Sequence, residues 1–135
     1  AAFLYDDLTV EENVRFWVRA SKAPAESLAP ALARFGLDGR LREVVAGKLS
    51  SGQRRRVALA SLAARAPEVW LLDEPHAGLD AETRDIVDTL IADAATSGAT
   101  VVFASHELER ATKVAGRSVT IAGGAVDIRE AAGVA

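Results

Sequence analysis

Val69-Trp70-Leu71-Leu72-Asp73-Glu74-Pro75 is the stretch that decides the fold of this 135-residue chain. Four apolar residues in a row show no alternation, so they predict a strand over Val69–Asp73 buried on both faces. Such strands belong to parallel sheets whose two faces are covered by helices.

Outward from that strand, the pattern is strand, helix, strand. Upstream, a helix over 52–66 should stop before Pro67, since the residue preceding proline disfavours helical geometry. Downstream, Asp80 can cap a helix reaching about residue 97, with Ile86, Val87, Leu90, Ile91 and Ala94 on one face. Thr100–Ala104 is a second apolar run and predicts a second buried strand. A short helix over 107–115 and a hairpin turning at Gly123-Gly124 follow. The first fifty residues look helical and polar. Thr9 and Glu12 have the spacing of a capping box. Val10, Val14, Trp17 and Val18 then recur at helical spacing. A second helix is expected over 25–35, and loop with short turns over 37–49.

Four groups of residues carry candidate chemistry. Leu49-Ser50-Ser51-Gly52-Gln53 places serine and glycine at a helix start, where free N–H groups and the helix dipole favour an anion; a plain capping serine is the alternative. Asp73 and Glu74 stand at the carboxyl end of a strand, the edge at which open α/β sheets bind ligands. One acid there can hold Mg²⁺ through water and its neighbour can deprotonate a water; a charged strand end entering a turn is the alternative. His106, in Ser105-His106-Glu107, reaches the same crevice if the two strands are neighbours. Taken alone it reads as a surface histidine. Asp80, in Ala77-Gly78-Leu79-Asp80, is accounted for by helix capping and can serve a second role. His76 reads as a loop histidine. Arg54-Arg55-Arg56 reads as a solvated helix face paired with acids rather than a nucleic-acid patch.

Composition narrows the classes. Hydrophobic residues make up 50 %, so a core can form, although many are alanine. The net charge of −3 argues against nucleic-acid binding, which favours a basic face. The absence of cysteine excludes disulfides, thiolate zinc sites and thiol catalysis. The longest apolar runs are strand-sized, far short of the roughly 20 residues that span a bilayer. The sequence contains no methionine, which suggests a fragment.

Taken in order, these groups resemble the nucleotide-binding domain of ABC transporters. Residues 49–53 resemble the signature motif Leu-Ser-Gly-Gly-Gln, with Ser51 where the family has glycine. Residues 69–74 resemble Walker B with its catalytic glutamate, residues 77–80 the D-loop, and His106 the switch histidine. Leu8-Thr9-Val10-Glu11-Glu12-Asn13 is similar to the segment that opens the helical subdomain after the Q-loop. The resemblance implies an α/β fold, a partial P-loop NTPase of the ABC ATPase type. Residues 1–50 would be a helical subdomain segment and 51–135 the C-terminal part of the ATPase core, a parallel sheet flanked by helices.

The resemblance also implies roles. Asp73 would hold Mg²⁺ through water, Glu74 would be the general base, and His106 would contact the γ-phosphate. Ser50, Ser51, Gly52 and Gln53 would close over ATP held by a second nucleotide-binding domain, and Asp80 would link the two sites of that homo- or heterodimer. A transmembrane permease would be the other partner, with the chain on the cytoplasmic face of the membrane and no nucleic acid involved. The pattern around residues 3–9 and 73–80 looks most like haem-exporter ATP-binding subunits of cytochrome c maturation. A soluble ABC ATPase and a non-catalytic interaction module are the competing classes. The phosphate-binding loop Gly-x-x-x-x-Gly-Lys-Ser/Thr does not occur in the sequence: at Gly47-Lys48, Leu49 stands where Ser or Thr is required and Arg42 where the first Gly is required. It is expected upstream of Ala1. The chain alone is therefore expected not to hydrolyse ATP, and to be marginally stable, with apolar surface exposed on its sheet.

Overall fold

A computed structural model describes residues 3–130. The first helix, α1, spans Val10–Ala20 and opens with the full capping box: Thr9 accepts from the Glu12 N–H while the Glu12 carboxylate accepts from the Thr9 N–H. Val10, Val14 and Val18 form its buried stripe. The segment expected as one helix over 25–35 divides into a 3₁₀ turn, Ala25–Ser27, and α2, Leu28–Arg34. Pro30 explains the division. In a helix begun at Ala25 its ring would strike the carbonyl four residues back, whereas from Leu28 it falls in the first turn, where proline is tolerated. Two further 3₁₀ turns, Arg40–Glu43 and Ala46–Lys48, lead to α3, Ser51–Arg65. Ala66 ends α3 in a left-handed conformation immediately before Pro67.

β1 (Val69–Asp73), α4 (Ala81–Thr96) and β2 (Thr100–Ala104) form a parallel βαβ unit in which Val69 pairs with Thr100 and Asp73 with Ala104. A short α5 (Leu108–Val114) follows. Then comes an antiparallel hairpin of β3 (Arg117–Ala122) and β4 (Ala125–Glu130). Gly123 and Gly124 both have positive φ, the conformation that a two-residue hairpin turn of matching twist requires.

α3 packs against both α1 and α2. A continuous core runs from Val10, Val14, Leu32, Phe35 and Leu37 through Val57 and Ala60 to Trp70, Val87 and Ile91. The strands differ from expectation. They are covered on one face only: Trp70 is buried, whereas Val69, Leu71 and Val102 are 58 %, 76 % and 55 % exposed. The pleat sends alternate side chains to opposite faces. Here the Trp70 face is covered and the Val69–Leu71 face lies open, in line with the expected exposed apolar surface.

Candidate functional site

Adjacent parallel strands deliver their carboxyl ends side by side, and there the candidate residues meet. The Glu74 N–H continues the ladder to Ala104 O at 2.9 Å. Glu74 then adopts a left-handed backbone with φ 45°, uncommon for a residue with a side chain, and this turns the chain away from the strand. Its carboxylate meets the start of the segment after β2: His106 Nδ1 lies 2.8 Å from Glu74 Oε1, and the His106 N–H donates to the same oxygen at 3.0 Å. Hydrogen bonding to His106 is the main cause that holds the Glu74 carboxyl below its usual range. Reciprocally, Glu74 holds the imidazole above its usual range. Asp73 precedes this pair with an exposed side chain.

The start of α3 forms the second half of the site. Ser50 Oγ accepts from the Gln53 N–H at 3.2 Å and Gln53 Oε1 accepts from the Ser50 N–H at 2.9 Å, a second capping box. That arrangement leaves the Ser51 and Gly52 N–H groups, the Ser50 hydroxyl proton and the Gln53 amide NH₂ able to donate outward. Gly52 packs closely: a Cβ there would stand 3.3 Å from the carbonyl oxygen of Gly78, a tight contact that the 76–80 loop would have to ease by a few tenths of an ångström. Asp80 caps α4 by accepting from the Thr83 N–H at 2.8 Å, and this bond chiefly keeps its carboxyl below the usual range.

Glu74 and His106 are thus in direct contact, with Asp73 beside them. Among the described residues, no hydrogen bond or ion pair joins Ser50, Ser51 or Gln53 to Glu74 or His106. A divalent ion bridging phosphates typically takes one or two protein carboxylates, so an exposed lone Asp73 fits a Mg²⁺ shared with a substrate. Among the described residues no group of three or more metal-ligating side chains converges.

Two features escaped sequence reading. His76 is 1 % exposed, not a surface loop residue, and its Nε2 lies 2.7 Å from Asp88 Oδ1 on α4. The arginine run is not a uniform solvated face. Arg54 pairs with Asp6 at 2.7 Å, but Arg55 donates to the main-chain oxygens of Asp73 and Glu74, and Arg56 to Phe35 O. An arginine three or four residues into a helix facing a strand end was the available signal.

The parallel βαβ unit, fronted by a helix that opens at Ser50, is the architecture of an ABC-type P-loop ATPase domain. It superposes with a TM-score of 0.81, over 96 % of this chain and 60 % of the other at 26 % identity, on a dimeric post-hydrolysis ATP-binding cassette bound to ADP and Pi. The chain belongs to the ABC transporter family, whose model matches residues 1–77. Among named relatives, it is 45 % identical over 106 residues to the cytochrome c biogenesis ATP-binding export protein CcmA 2 of Cupriavidus metallidurans, covering 77 % of this chain and 50 % of that protein. It is 42 % identical over 124 residues to the glutamine transport ATP-binding protein GlnQ of Escherichia coli, covering 88 % and 51 %. The chain spans about half the length of the curated relatives it matches.

Proposed function

We propose that the chain is the signature-bearing part of an ATP-hydrolysing subunit that drives transport across a membrane. The contact between Glu74 and His106 at the strand edge carries this reading. In it, a water attacks the γ-phosphorus of ATP, the bond to ADP breaks, and Glu74 accepts the water proton. His106, whose protonated form its carboxylate neighbour favours, donates to a γ-phosphate oxygen. Asp73 would hold Mg²⁺ through water, and the ion would supply positive charge against the phosphates. Ser50, Ser51, Gly52 and Gln53 donate to ATP seated on a second nucleotide-binding domain, and Asp80 faces that partner. Residues 1–50 serve as a helical subdomain segment and 51–135 as part of the ATPase core.

No helix among the described residues is long and apolar enough to cross a membrane. In this reading a permease supplies the pathway, as the ABC transporter family implies, and the chain sits against it on the cytoplasmic face. The exposed aromatic residues Phe3, Tyr5 and Phe16 support such a partner surface. The likeness to the cytochrome c biogenesis export protein CcmA favours an export role, read here as haem export for cytochrome c maturation, over the glutamine transport that GlnQ is named for.

Sedimentation of the complete subunit with MgATP tests the shared site. Glu74→Gln should trap a dimer, and adding Ser50→Arg should return it to monomer. A Glu74→Gln protein that binds ATP and stays monomeric contradicts the reading.

A further inference from the structure

Two contacts tie the start of α3 to the end of β1 and the segment after it. Arg55 Nη2 donates to Asp73 O at 3.2 Å and also to Glu74 O. Gly52 lies against Gly78 O. Of these, the Arg55 contact bears on the least relaxed backbone. Glu74 sits at φ 45°, a conformation that a residue with a side chain keeps only when its surroundings fix it. Its N–H is fixed by Ala104 O, and its carbonyl receives the Ala77 N–H at 3.1 Å together with the Arg55 guanidinium. His106 and Ser105 act on the Glu74 carboxylate; Arg55 grips the main chain behind it.

We propose that Arg55 is a positioning residue for hydrolysis, its guanidinium locking the Glu74 turn to the helix that opens at Ser50. The proposal rests on the reading of Glu74 as the base. Without Arg55 the Glu74 carbonyl keeps only the Ala77 N–H, and the loosened turn lets the carboxylate swing from the line of the attacking water. Because α3 begins with the residues facing the second subunit's nucleotide, a shift of α3 on closure reaches Glu74 through this side chain. Hydrolysis at one site then responds to occupancy of the other.

The test is steady-state ATP hydrolysis by the complete subunit, with kcat and KM separated. Arg55→Met should lower kcat about 10- to 100-fold, as misplacement of a reacting group does, with KM little changed. Arg55→Lys, which keeps a charged donor, should recover most of the loss. Arg54→Met should leave kcat intact, since Arg54 binds Asp6 and the Ala46 carbonyl instead. Full kcat in Arg55→Met, a loss confined to KM, or no recovery with Lys overturns the proposal. Should Arg55→Met fail to melt as a folded protein, Arg55→Gln takes its place, and an unchanged kcat there overturns it equally. Hydrolysis that survives Glu74→Gln overturns the base assignment and the proposal with it, and that control separates the two failures.

Discussion

His106 offers Glu74 both its ring and its main chain: Nδ1 at 2.8 Å and the backbone N–H at 3.0 Å converge on the single oxygen Oε1. The pairing follows from the register. Asp73 is opposite Ala104, so Glu74, one residue past β1, and His106, two residues past β2, turn into the same crevice. A carboxylate held by a cation is a weak base. The hydrolytic reading therefore requires His106 to transfer its donation to a phosphate as Glu74 takes up the water proton.

The pair should be visible in titration. Glu74 raises the His106 pKa above its ordinary 6.5, and His106 lowers that of Glu74 below 4.5. For the raised histidine, the stabilising contribution is complete below 6.5 and fades as pH rises through the folded-state value. For the lowered carboxylate, it is complete above 4.5 and fades as pH falls through the folded-state value. The contact is thus fully present between about pH 4.5 and 6.5. His106 is 78 % exposed, so solvent screening makes its effect on stability small, and NMR titration of the ring is the sensitive readout. Glu74→Gln should return the His106 midpoint toward 6.5; an unmoved midpoint would show that the contact does not persist in solution.

Asn13 should prove a keystone of the helical segment. Fully buried, it accepts from the Tyr5 N–H at 2.8 Å and donates to the oxygens of Tyr5, Leu8 and Thr9. It thereby fastens residues 5–9 onto α1. Asn13→Ala should cost about 2–3 kcal/mol by leaving buried backbone groups unpaired. Urea unfolding measures this, and a loss near zero would mean that water replaces the amide.

His76 should contribute through burial and its bond to Asp88, whose other oxygen accepts from Arg110 on α5. His76→Ala removes a buried ring and one partner of a carboxylate. About 2–3 kcal/mol of stability should be lost in equilibrium unfolding. A neutral result would show that the 76–88 contact does not stabilise the loop.

The order of elements was legible because local rules carried it. The Thr9–Glu12 box, Pro67, the Asp80 cap and the Gly123–Gly124 turn each set a boundary where they stand. That Glu74 and His106 would share a crevice was legible too, since neighbouring strands bring their ends together, but their direct contact was not. What escaped depends on tertiary placement. The strand at Val69–Leu72 reads as apolar throughout, but a run of apolar residues cannot tell whether both faces are covered. His76 becomes a core residue only because α4 folds back over it. Arg55 differs from Arg54 and Arg56 only in the direction its position on α3 gives it.

Hydrolysis assays on the complete subunit test the central claim most directly, with ATP binding measured alongside turnover and the 135-residue chain assayed in parallel. Glu74→Gln should cut kcat about 100-fold or more while ATP still binds, the loss expected on removing a general base. The chain alone should not turn ATP over. A Glu74→Gln subunit that hydrolyses ATP at the unaltered rate, or turnover by the isolated chain that Glu74→Gln abolishes, would contradict the account.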